Sequence, residues 1–122
     1  MSVDFSDFLS WSEFEMADPK FAEFSYRNAS SRAYYALFHA AKQRLKALNV
    51  PVLPVTKGGS HEAVICAIGR VSNLGREIAD DMRRVKRFRH LSDYDISEHV
   101  IKRRAQQQVA EARQLIGLLA QL

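Results

Sequence analysis

Residues 20–48 read KFAEFSYRNASSRAYYALFHAAKQRLKAL, and this stretch decides the fold. Phe24, Asn28, Ser31, Tyr35, Phe38, Ala41 or Lys42, Leu45 and Leu48 recur at steps of three and four, the period that puts side chains on one face of an α-helix. Upstream, Phe5, Phe8, Leu9 and Trp11 or Ser12 predict a short helix from Asp4 to Ala17, stopped by Asp18-Pro19, because the residue ahead of a proline resists the α region. Downstream, Asn49 to Gly59 contains Pro51, Pro54, Gly58 and Gly59 and reads as the main loop, after which Ser60 offers a cap. Val64, Ala67, Ile68 and Val71 define a third helix, interrupted at Asn73 and Gly75. A fourth runs from about Arg76, with Ile78, Met82, Val85 and Phe88 inward. Leu91 to Asp95 reads as a bend, and Ser97 as the cap of a last helix striped by Ile101, Ala105, Gln108, Ala112, Leu115, Leu119 and Leu122.

Composition agrees with an all-α chain. A length of 122 residues is that of one domain, here a short N-terminal helix (1–17) and a bundle (20–122); 47% apolar and 26% charged residues are ordinary for a folded globule. Five glycines and three prolines are too few for many short strands and tight turns. Short connections make an antiparallel up-and-down bundle of four longer helices the economical arrangement. Val109 and Ile116 form a second apolar column on the last helix, as expected either of a dimer interface or of a helix central to its own bundle. The lone Cys66 and an N-terminus that alternates acids with aromatics predict a cytoplasmic protein, and no stretch is apolar enough for a membrane span.

The net charge of +4 is unevenly spread. Residues 1–25 hold six acids and one base, whereas residues 83–104 hold eight bases and three acids. Such a basic run is either a solvated helix face or a phosphate-binding surface. His39, His61, His90 and His99 have no metal-ligand spacing, and Gly58-Gly59-Ser60 lacks the features of a phosphate loop, so neither a metal nor a cofactor is expected. Two polar constellations remain. Arg32 and His39 lie two helical turns apart on one face. Arg87-Phe88-Arg89-His90-Leu91-Ser92-Asp93-Tyr94-Asp95 combines guanidinium and imidazole, which together can hold a phosphodiester and move its protons; alternatively, Arg89 simply pairs with Asp93.

Three blocks occur in an order and spacing that resemble the HEPN superfamily: Ser31-Arg32-Ala33-Tyr34-Tyr35-Ala36-Leu37-Phe38-His39-Ala40-Ala41, Ser60-His61-Glu62-Ala63-Val64-Ile65, and Arg89-His90-Leu91-Ser92-Asp93-Tyr94-Asp95. The last resembles the Arg-x-x-Ala-Asp-Tyr pattern of small stand-alone bacterial members, and the resemblance runs from about Phe21 to the C-terminus. It implies an antiparallel helical bundle, usually a homodimer, in a superfamily that includes metal-independent ribonucleases of toxin–antitoxin, CRISPR and abortive-infection systems. An antitoxin or a nucleotidyltransferase is the partner protein such membership implies. The ribonuclease members carry an Arg, a polar residue and, four to six residues beyond the Arg, a His near the dimer interface. Arg89 matches the Arg and His90 the polar position, but Tyr94 stands where the His is expected. A phenol with a pKa of about 10 is a poor general base at neutral pH. Arg83 or Arg84 with His90, and Arg32 with His39, satisfy the spacing literally.

Three functions follow. In the first, a non-catalytic HEPN-like module binds RNA, a nucleotide or a partner through Arg83, Arg84, Lys86, Arg87 and Arg89, with Arg32 and His39 as further contacts. In the second, a metal-independent ribonuclease holds the scissile phosphate on Arg89, moves protons with His90 or His39, and has Asp93 and Tyr94 close by. Both expect the Arg89 guanidinium to emerge at a seam between two copies, open to an anion. The third is a helical adaptor that binds protein rather than nucleic acid. The acidic N-terminal segment is also a candidate cover for the basic face.

Overall fold

The computed structural model describes residues 4–17 and 22–122. Among them are five helices and no strands: α1 (Phe5–Ala17), α2 (Ala22–Ala47), α3 (Gly59–Val71), α4 (Asn73–Tyr94) and α5 (Lys102–Leu119). The expected stop at Asp18-Pro19 and the expected start of the second helix at Lys20 lie outside the described residues. No described helix is long and apolar enough to cross a membrane.

α2 is the central element. It touches each of the other four helices, and the small residues Ala29, Ser30, Ala33, Ala36, Ala40 and Ala41 let their backbones come close. Its buried surface is wider than the predicted stripe and slightly rotated from it: Ser25 is buried, while Phe24 is 66% exposed. The core joins Tyr34, Leu37 and Leu45 of α2 to Ile65 and Ile68 of α3, Ile78, Met82 and Val85 of α4, and Leu115 and Leu119 of α5. In α1 it is Ser12 that turns inward, its Oγ donating to the Phe8 carbonyl at 3.0 Å.

α3 and α4 are separated by Ser72 alone, whose Oγ accepts from the Gly75 N–H at 3.1 Å and caps α4. Asn73 and Gly75 therefore open α4 instead of interrupting it. Gly75 is required there by proximity, since a Cβ would sit 2.2 Å from the Ile68 carbonyl oxygen. At the start of α3 the cap position falls on Gly58, not Ser60, in left-handed backbone (φ 92°), where a Cβ would also strike the Glu62 side chain.

Two further expectations are corrected at the α4–α5 connection. Leu91 to Tyr94 is not a bend but the last turn of α4, held by Arg27 of α2. Arg27 Nη1 donates to the carbonyls of Ser92 and Asp95 at 3.0 Å each, and Nη2 reaches the Glu98 carbonyl, so one guanidinium ties the last turn of α4 to the connection that follows it. Ser97 does not cap α5; it donates to the Asp95 carboxylate, and α5 begins five residues later, after Ile101, without a side-chain cap. Val100 takes the buried place expected for Ile101. Val109 is buried within the subunit and Ile116 packs on its core, so the second apolar column is used internally. α1 lies against α2 and α5, with Glu13 paired to Arg113; among the described residues it makes no contact with α4 and does not cover the basic helix.

Candidate functional site

α4 carries Arg83, Arg84, Lys86, Arg87 and Arg89 within about two turns, and the rotation of roughly 100° per residue sends them to different neighbours. Arg83 Nε donates to Glu62 Oε1 of α3 at 2.9 Å, and Lys86 Nζ lies 3.9 Å from the other oxygen. Burial works against the charged form of Glu62, but the Arg83 hydrogen bond and the surrounding cations keep its carboxyl below the ordinary range. Arg84 binds Asp81 at 3.0 Å and also Glu111 of α5. Arg87 has no carboxylate partner among the described residues. The five cations therefore do not make one continuous basic surface.

Arg89 points into the α2–α4 seam and is only 8% exposed, buried inside the subunit rather than open at its edge. The cause is aromatic packing. Its Cζ lies 5.1 Å from the Tyr34 ring centroid and 5.6 Å from that of Tyr35, close enough for a cation–π attraction that compensates a desolvated guanidinium. Nη1 is 3.5 Å from Asp93 Oδ2, which accepts from Ser31 Oγ at 3.2 Å. Nε is buried without a hydrogen-bond partner. Arg89 and Asp93 are thus brought together, one turn apart. His90 and Tyr94 are not part of this cluster; both are exposed, with ring centroids 4.7 Å apart on the outside of α4.

Beside Arg89, the Tyr34 hydroxyl is 2.7 Å from His61 Nδ1, a contact the sequence reading missed. His61 stacks on Phe38 with centroids 4.2 Å apart. Burial, followed by the nearby cations Arg89 and Lys86, holds the imidazole below its ordinary pKa and favours the neutral ring; burial also pushes the Tyr34 phenol upward. A fully buried tyrosine needs a partner for its hydroxyl, and that requirement was the available signal. Arg32 and His39 lie instead on the side of α2 that meets α1. Arg32 borders a cleft with Asp7, Phe8 and Trp11, and His39 stacks on Phe8 at 5.1 Å. Burial and then Lys42 lower the His39 pKa.

Between α4 and α5 lies a cleft of ≈ 510 Å³ walled by Arg84, Arg87, Phe88, Arg104, Gln107 and Glu111. Arg104 Cζ sits 4.6 Å from the Phe88 ring centroid. The first turn of α5 is Lys102-Arg103-Arg104 with no acidic residue, so three cations stand where the helix dipole is already positive. Among the described residues no group of three or more His, Cys, Asp and Glu is placed to hold a metal ion. Compared with protein-family models and with curated proteins, the chain matches none.

Proposed function

We propose that the chain is a HEPN-like domain, with its helices running antiparallel, that binds RNA through phosphate contacts at the α4–α5 corner. The observation that carries this reading is the convergence of Arg87 and Arg104 on one cleft, with Lys102 and Arg103 adjoining, none of the four having a carboxylate partner among the described residues. Each unneutralised cation brought to a polyphosphate releases counterions, which gives affinity without sequence preference. A homodimer accompanies the proposal. Phe24, Tyr94, Ile96 and Ile101 leave apolar surface exposed at the end of the molecule where Glu23 accepts from the Val100 N–H. Light scattering coupled to gel filtration checks the dimer.

The decisive experiment is RNA binding by fluorescence anisotropy across a salt series. Affinity should fall steeply with salt, and Arg87→Ala should reduce the slope of log K against log salt by about 0.7, one phosphate contact to a single strand. Binding that ignores salt, or no binding to RNA at low salt, refutes the reading and favours a protein-binding adaptor.

Metal-independent cleavage of the bound RNA is a second reading, supported by the unpartnered Nε of Arg89 near a His61 held toward its neutral form, and it requires the α2–α4 seam to open, because that Nε is buried. In that chemistry a guanidinium holds the phosphate as a 2′-oxygen attacks phosphorus, a neutral imidazole accepts the 2′ proton, and a second donor protonates the departing 5′-oxygen. Cleavage in EDTA that is lost in Arg89→Lys and His61→Gln but retained in His90→Ala supports it; cleavage surviving the first two substitutions removes it.

A further inference from the structure

We infer that the α4–α5 cleft is a nucleobase subsite, in which an unpaired base stacks against the Phe88–Arg104 pair, so that the surface prefers single-stranded RNA to duplex. This rests on the phosphate-binding reading above and adds what that reading lacks, a contact to something other than phosphate.

Phosphate alone needs only exposed cations, and an exposed lysine or arginine anywhere on the surface would serve. The cleft offers more. Phe88 places an aromatic ring on its wall with Arg104 held 4.6 Å from the ring centroid, and a base finds stacking partners in both aromatic rings and guanidinium planes. Its volume of ≈ 510 Å³ lies within the range of pockets that take a small ligand. Hydrogen-bonding groups stand beside the stack. Gln107 brings a carboxamide to the wall, and Gln108 donates its Nε2 to the Val85 carbonyl at 2.8 Å, which fixes the side chain and leaves its carbonyl oxygen as an acceptor.

The division of labour among the arginines follows from their partners. Arg84 is tied to Asp81 and Glu111 and serves as wall. Arg87 has no carboxylate to leave and is the group for the phosphate attached to the stacked nucleotide. In a duplex the bases are already stacked on one another and present only edges, so the Phe88–Arg104 pair gains nothing from them.

Three RNA ligands of equal length separate these contributions at one salt concentration: a single strand, the same sequence as a duplex, and an abasic strand with the ribose-phosphate backbone only. The expected result is that the single strand binds at least about tenfold more tightly than the abasic strand, consistent with a stacking contribution of about 1–3 kcal/mol per base. Arg104→Lys keeps the charge but removes the planar group, and should bring this ratio toward one. Phe88→Leu keeps an apolar side chain on the cleft wall and should act in the same direction, so a folding defect in one variant does not decide the matter. Equal binding of all three ligands overturns the base subsite and leaves phosphate binding standing; failure of all three to bind overturns both.

Discussion

The α2–α4 seam and the α4–α5 cleft take arginines from the same helix, only two residues apart in the case of Arg87 and Arg89, and use them in opposite ways. In the seam, Arg89 is enclosed by Tyr34 and Tyr35, paired with Asp93, and withdrawn from solvent. In the cleft, Arg87 and Arg104 stand in an opening whose lining carboxylate, Glu111, is already paired with Arg84. Formal charge is therefore a poor guide to where an anion goes. Of the five basic residues on the middle of α4, Arg83, Arg84, Lys86 and Arg89 each lie within 4.0 Å of a carboxylate oxygen. The seam spends its cation on holding two helices together; the cleft keeps its cations available.

The comparison is sharpest in stability. Arg89→Ala leaves Asp93 without its cation and opens space between two tyrosines, and should lower unfolding stability by about 2–3 kcal/mol, the lower side of what removing one member of a buried pair does because Asp93 remains partly exposed. Arg87→Ala should stay within about 0.5 kcal/mol of the parent. Urea unfolding of the two variants side by side measures the contrast; equal losses would erase the distinction between the regions.

Arg27→Ala ranks next. Hydrogen bonds from a charged donor contribute about 1.5–3 kcal/mol, and Arg27 makes several to carbonyls in and just beyond the last turn of α4. The loss should appear as faster amide hydrogen exchange in residues 91–95, with the middle of α4 protected. Uniform exchange along the whole helix would mean that Arg27 supports α4 generally and not its last turn.

In binding the order reverses. Arg104→Ala should weaken single-stranded RNA binding by more than about tenfold through lost phosphate and stacking contacts, whereas Arg89→Lys should change binding less than twofold. An Arg89→Lys variant with unchanged stability and tenfold weaker binding would move the phosphate site back to the seam.

The smallest effect is in the pH dependence of folding. His61 and His39 have pKa values below that of an unfolded-chain histidine, about 6.5, so the unfolded state binds more protons as pH falls through that value. Stability should therefore decline from pH 7 toward pH 5 and level off once the folded-state histidines also protonate. His61→Gln keeps a polar partner for Tyr34 and should flatten part of this decline; an unchanged profile would assign it to His39 or to the carboxylates.

Much of the helical layout was legible because it is local. The steps of three and four through Tyr35, Phe38 and Leu45 are written into consecutive residues, and so is the glycine-proline break that follows them. The ends of α4 and the start of α5 were not. Ser92 and Asp93 look like a bend because short polar residues compete with helical hydrogen bonds, yet the carbonyls of Ser92 and Asp95 are held by Arg27, 65 residues upstream of Ser92. Ser97 looks like a cap, but the Asp95 carboxylate engages it first. At the candidate sites, the sequence marked the basic run and the Arg89–Asp93 spacing, but not which cations are already neutralised. That depends on Glu62 and Glu111, which sit on other helices. Nor did it pair Tyr34 with His61, 27 residues apart, although both belong to the blocks that drew the resemblance.

The single-residue joint at Ser72, with Gly75 seated on the Ile68 carbonyl, has a mechanical consequence. Helices joined this tightly and bridged farther out by Glu62 and Arg83 are expected to move together, as one stiff lever. A strand of RNA pulling on one arm at Phe88 would shift the other arm, which carries His61, in the same stroke. Labels on the two arms should then keep a fixed separation while the distance from either to a label on α2 changes; a changing separation between the arms would break the lever.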